Sequence, residues 1–235
     1  MSKISRPKYP YHVPIYSTVD AARYLNIPVS TLRTWIKGRS YPTKTGHKDF
    51  RPLIQRPDPD YSQLSFTNLI EAHVLRVIRT VHNIPLDKVR LALDYISEQF
   101  KTEHPLVLKK FSSDGVDLFI EQVEHLINAS RSGQLAMKQV LNHLLNRIEW
   151  DEENIAARLF PFIEAYGEDS PEKIITIDPN ISFGKPTISK TGVPTKIVTE
   201  LYDAGDSLEE IASDYNCTIL QIKTAILFES KLRVA

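Results

Sequence analysis

The stretch TVDAARYLNIPVSTLRTWIK, residues 18–37, sets the character of the chain. Val19, Ala22 and Leu25 fall on one side of a short helix, and Asn26-Ile27 interrupts the stripe. Pro28 suits the first turn of a new helix, where its missing N–H would be unpaired in any case. Val29, Leu32 and Ile36 supply the second stripe. Two short helices joined by so tight a turn form a helix-turn-helix, whose second helix enters the major groove of DNA. The outward positions of that helix are Ser30, Thr31, Arg33, Thr34 and Lys37, which are hydroxyls and cations with no carboxylate. An αα-corner that only packs would more often carry mixed charge there, so the pattern points to DNA contact.

The flanks agree with this. Residues 38–56, GRSYPTKTGHKDFRPLIQR, are rich in Gly, Pro and cations, and fit a β-hairpin wing that lays Arg39, Lys44, Lys48 and Arg51 along a phosphate backbone. Ser65 is placed to cap a long amphipathic helix, and Leu86, Val89, Leu93 and Ile96 stripe another as far as Phe100. Residues 1–64 hold eleven Lys or Arg against four Asp, a surplus of seven that the other 171 residues cancel. One basic end on an acidic chain is the electrostatic footprint of a phosphate binder, or else a solvated basic surface.

Residues 101–170 read as α+β, with two hairpins. In KKFSSDGVDLFIE, alternating apolar runs flank Asp114-Gly115, and in RIEWDEENIAARLFPF the tip is Asp151-Glu152-Glu153. Those carboxylates, with Glu149, could be a metal or acid–base cluster, but adjacent acids on one turn read better as a solvated tip. His73, His125 and His143 sit in helical patterns where packing is the default, and no histidine falls in a metal-ligand spacing. Neither a metal, a cofactor nor an enzyme activity is expected. The lone Cys217 excludes an internal disulfide and reads as a small buried residue. No apolar run approaches the roughly 20 residues of a membrane span, and the first residues have no apolar signal core, so the chain is expected in the cytoplasm.

The stretch GKPTISKTG, 184–192, only imitates a phosphate loop. The position of the first glycine is Pro179, and Pro186 stands where a magnesium-binding hydroxyl is needed. Ile174–Ile177 and Thr187–Ser189 instead make an edge ribbon confined by Pro186 and Pro194. Ile197, Leu201 and Tyr202 stripe a helix ended by Gly205. Ser207–Glu210 and Thr218–Gln221 then cap two more, a second helix-turn-helix that is acidic where the first is basic. The expected fold is mainly α with small β elements: residues 1–100 a winged head, 101–170 an α+β middle, and 171–235 a β-arm with three helices.

Two families are resembled. AARYLNIPVSTLRTW is similar to the DNA-binding head of MerR-type regulators, with Arg33 in the place of the phosphate-positioning arginine. Pro28 and Thr34 stand where that family has a serine and a tyrosine. The run from Ile175 to Thr195, followed by Ala204 to Tyr215, resembles a family catalogued as domain of unknown function 433. Longer members of that family carry a MerR-like head and look like antitoxins of VapBC-type modules. This resemblance implies double-stranded operator DNA and a PIN-like ribonuclease toxin as partners, a homodimer formed through 171–235, and repression of the chain's own operon. A PIN-like site is acidic, so Lys231 and Arg233 are candidate toxin contacts, with Asp151–Glu153 as a rival surface. The alternative reading is a stand-alone MerR-like regulator without a toxin.

Overall fold

The computed structural model describes residues 10–43, 46–76, 84–127, 131–161 and 173–234. Within them the side chains of 39, 41–43, 47, 48, 50, 127, 131, 132 and 231–234 are not described. Helices α1 (Thr18–Tyr24) and α2 (Val29–Lys37) lead into a hairpin of β1 (Arg39–Thr43) and β2 (Gly46–Phe50). Then come α3 (Phe66–Leu75), α4 (Leu86–Phe100), α5 (Val116–Ile127) and α6 (Arg131–Leu145). A hairpin of β3 (Ile148–Trp150) and β4 (Ala156–Leu159) and a ribbon of β5 (Ile175–Thr176) and β6 (Thr187–Ile188) follow. Helices α7 (Thr195–Ala204), α8 (Leu208–Asp214) and α9 (Ile219–Val234) close the chain. The protein is thus mainly α with small antiparallel β elements, as its sequence predicts.

All ten residues of α3 are buried, so its polar side chains must find partners inside. Ser65 and Asn68 close a capping box, and Asn68 Nδ2 donates to the Gln55 carbonyl (2.8 Å) and to Glu71 (3.0 Å). Glu71 accepts from His104 Nδ1 at 2.7 Å, and the Thr67 hydroxyl donates to the Tyr11 carbonyl at 3.2 Å. Around this helix one apolar cluster runs from Tyr11 to Ile177 and takes in Trp35, Ile54, Phe111 and Leu159. A second cluster, Ile175, Ile188, Val198, Ile211, Ile222 and Phe228 among others, belongs to the C-terminal unit. Tyr24 packs against both, stacking on Phe228 with ring centroids 6.5 Å apart.

Several sequence expectations need correction. The segment KKFSSDGVDLFIE is not a hairpin: Phe111–Gly115 form a π-helical turn that runs straight into α5. The buried residues Val116, Phe119, Ile120 and Val123 follow helical spacing, which local alternation around Asp114-Gly115 disguised. Gly115 serves packing here, since a Cβ would lie 2.6 Å from the Phe111 ring. Among its described residues the middle therefore holds one hairpin, β3–β4, with Asp151–Glu153 at its tip as expected. On α7 the buried residues are Thr195, Val198 and Thr199, while Ile197 and Tyr202 face outward. Cys217 is only half-buried, its thiol donating to the Tyr215 carbonyl at 3.4 Å, and His125 is exposed.

Candidate nucleic-acid interface

The head is held by its turn. Ser17 caps α1, accepting the Asp20 N–H at 3.0 Å. Asn26 adopts a left-handed conformation (φ 51°), which lets the Ile27 N–H reach back to the Ala22 carbonyl at 2.9 Å and turns the chain into α2. Pro28 is the residue before α2, and its carbonyl accepts the N–H groups of Thr31 (2.9 Å) and Leu32 (3.2 Å). Leu32, Trp35 and Ile36 are buried beneath α2. Ser30, Arg33 and Lys37 are exposed, and Thr31 and Thr34 are half-buried. The Thr34 hydroxyl donates to the Ser30 carbonyl at 3.0 Å, which ties it to the helix. One face of α2 thus presents a hydroxyl and two cations without an acid, the composition that meets base edges and phosphates.

The hairpin follows directly. Gly38 (φ 73°) ends α2, and β1–β2 pair with Arg39 opposite Phe50 and Lys48 opposite Tyr41. Lys44 lies outside the described residues, and of Arg39 and Lys48 only the backbone is described. Arg51 is exposed, and its carbonyl accepts from Arg90 of α4 at 3.4 Å. The base of the wing is fixed to the recognition helix because Leu53 and Ile54 both donate to the Trp35 carbonyl, at 2.7 and 3.1 Å.

The C-terminal unit repeats the turn of this head at a constant offset of 190 residues (17 to 207, 26 to 216, 32 to 222), although Thr218 and Gln221 cap each other where Pro28 has no side-chain cap. Ser207 caps α8 as Ser17 caps α1, and Asn216 has φ 50° where Asn26 has 51°. The Cys217 N–H reaches Ala212 at 2.9 Å, matching Ile27 to Ala22. The Thr224 hydroxyl donates to Leu220 as Thr34 does to Ser30. The chemistry of the second unit differs. Leu220 replaces Ser30, Leu227 replaces Lys37, and Ile219 and Leu220 are exposed. Sequence reasoning found both units but not their register, which the shared Ala-x-x-x-Asn spacing could have revealed.

Of the other candidate residues, Asp151 and Glu149 are engaged structurally. Asp151 accepts N–H groups from Glu153 and Ile155 (both 3.0 Å) and the Tyr11 hydroxyl (3.1 Å). Burial, and then the Asp151 hydrogen bond, push Tyr11 up to about 12. Glu149 pairs with Arg158 (3.4 Å) and Lys173 (3.6 Å). No group of three His, Cys, Asp or Glu that could hold a metal occurs among the described residues. No helix among them is long and apolar enough to cross a membrane. Lys231 and Arg233 fall in the last turns of α9, with their side chains outside the described residues.

Two family models match separate parts of the chain. Residues 14–93 match a family described as "Putative DNA-binding HTH domain", and residues 175–228 match "Protein of unknown function (DUF433)". Over 232 residues the chain is 26% identical to "Putative antitoxin VapB45" of Mycobacterium tuberculosis, spanning 92% of this chain and 94% of that protein. It is 25% identical over 238 residues to "Uncharacterized protein Rv2308" of the same organism, spanning 94% and 91%. The X-ray crystal structure of Rv2018 from Mycobacterium tuberculosis shares the fold, with a TM-score of 0.67 at 22% identity. It covers 92% of this chain and 99% of that one.

Proposed function

From a chain built of a helix-turn-helix head and a DUF433 unit, we propose a DNA-binding antitoxin that silences a PIN-like ribonuclease and represses its own operon in the cytoplasm. The observation that carries this reading is the acid-free exposed face of α2, clamped to a wing through the Trp35 carbonyl. Similarity along nearly the whole length to a protein named an antitoxin supports the toxin partner. Ser30, Thr31, Thr34 and Lys37 face base edges, while Arg33, Arg39, Lys44, Lys48 and Arg51 hold phosphates. The C-terminal unit, with Ile197, Tyr202, Ile219 and Leu220 exposed, pairs two chains on one operator. A stand-alone regulator would need a closed apolar chamber for its ligand. Among the described residues, one cavity of about 200 Å³ lies beside α4 and carries Glu71, Arg90, Asp94 and Glu103 in its wall.

Arg33→Ala and Lys48→Ala are each expected to weaken binding to every duplex and to flatten the salt dependence by about one unit of slope. Ser30→Ala and Lys37→Ala should instead change sequence preference. Fluorescence anisotropy across a salt series, with light scattering of the complex, reads both the slope and the number of chains bound. Unchanged affinity in all four variants would remove α2 and the wing as the reader.

For the toxin, Lys231→Glu with Arg233→Glu should restore ribonuclease toxicity on co-expression while DNA binding persists. If cells stay protected and the complex still co-purifies, docking belongs to the Asp151–Glu153 tip.

A further inference from the structure

The arm that carries GKPTISKTG is more than a scaffold for β6. Its first turn holds three successive left-handed residues, Ser182 (φ 48°), Phe183 (φ 55°) and Gly184 (φ 73°). Such backbone persists only where the surroundings over-determine it, and it concentrates at functional sites. Here the surroundings are explicit. The buried carboxylate of Asp178 accepts from the Asn180 N–H (2.8 Å), from Asn180 Nδ2 (3.2 Å) and from Arg158 Nε (2.8 Å). The N–H groups of Ile181, Gly184 and Lys185 close the turn onto Asp178, Ile181 and Ser182 at 3.0, 2.9 and 3.2 Å. Gly184 is pressed against the head, where a Cβ would lie 2.2 Å from the Tyr16 hydroxyl.

The rigid turn displays a phenylalanine to solvent. Phe183 is 89% exposed, more than any other large apolar residue described. Its neighbours Lys185 and Lys190 are exposed as well. Residues 179–199 contain three lysines and no Asp or Glu, within a portion of the chain, 65–235, that is acidic overall. The turn seats on Ile15 and Tyr16, next to Ser17, the cap of α1. In a helix-turn-helix the first helix crosses the phosphate backbone beside the groove read by the second. On DNA docked in that way, a basic loop at the start of α1 would come beside that same strand.

We propose that the Phe183 turn is a second DNA contact, in which Lys185 and Lys190 hold phosphates beside the site read by α2 and Phe183 wedges against a base step in the flanking minor groove. Apolar wedges of this kind partly unstack the step they enter, and cations alongside them hold the backbone. This rests on the head being the DNA reader, so the test separates the two.

The full chain is titrated against a fluorescein-labelled 30-base-pair mixed-sequence duplex across a salt series, and against the same duplex carrying 2-aminopurine. Lys185→Ala with Lys190→Ala should weaken binding at least several-fold and flatten the slope by about two. Phe183→Ala should keep the slope, lose affinity by about three- to tenfold, and abolish the rise in 2-aminopurine fluorescence that accompanies unstacking. A slope unchanged in the lysine pair but reduced in Arg33→Ala overturns this proposal and leaves the head intact as reader. Phe183→Ala binding DNA as the parent does, with the fluorescence rise retained, overturns the wedge. Slopes unchanged in both the lysine pair and Arg33→Ala remove the head reading and this one together. All these positions are exposed, so melting temperatures should stay with the parent's.

Discussion

Trp35→Ala is expected to destabilise the protein by about 3–5 kcal/mol, the usual cost of emptying a buried tryptophan site. Trp35 is 1% exposed and lies beneath α2 with Leu32 and Ile36. Its carbonyl holds both Leu53 and Ile54, so a cavity at this side chain also loosens the anchor of the wing. In a chain of this size each kcal/mol moves the midpoint by roughly 2–4 °C, so the melting temperature should fall by about 6–20 °C. DNA binding should weaken with it, because the recognition helix and the wing share this support. Trp35→Phe, which keeps most of the apolar volume, should lose much less. A Trp35→Ala protein melting within about 3 °C of the parent would show that the head is not held from beneath α2.

The second large effect is acid sensitivity through His73. This side chain is fully buried in α3, and its Nε2 lies 2.9 Å from the Leu144 carbonyl, which requires the proton to sit on that nitrogen. Burial is the main cause that pushes its pKa down to about 3, against the opposing pull of the Leu144 bond. The folded value lies below the unfolded value of about 6.5, so below that pH the unfolded chain takes a proton that the native state refuses. Stability from this group is therefore intact above about pH 6.5 and declines as the pH falls towards 3, by on the order of 4 kcal/mol in all. His104 behaves in the opposite sense. Burial lowers its pKa, but the hydrogen bond and charge of Glu71 outweigh burial and raise it. Its contribution is complete below the unfolded value and is lost as pH rises through the folded one. Urea unfolding at pH 7, 5.5 and 4 separates the two: His73→Gln should flatten the acid limb, and His104→Gln should not. An unaltered acid limb in His73→Gln would assign acid sensitivity elsewhere.

Local signals carried most of the elements. The break at Asn26-Ile27, the Ser65 and Ser207 caps and the Gly205 terminator are chemistry within four residues, and each appears where its sequence places it. The face of α2 was legible for the same reason, since burying Leu32 and Ile36 leaves Ser30, Arg33 and Lys37 outside. The expectation failed at 109–121, where alternation over six residues mimics a strand. Only the Phe111 and Phe100 rings around Gly115 decide for the helical turn. The buried Glu71–His104 pair, 33 residues apart in sequence, left no local signal at all.

By itself, then, the sequence determined the winged head, its basic outer face and the caps of a second acidic helix-turn-helix, because these depend on periodicity and on bonds between near neighbours. Only the tertiary structure decided that Tyr24 joins the two helix-turn-helix units and that Gly184 pins the arm to Tyr16. It alone also turned Phe183 out to solvent beside two lysines. Those outcomes depend on which distant side chains meet once the cores close, and spacing along a chain does not encode such meetings.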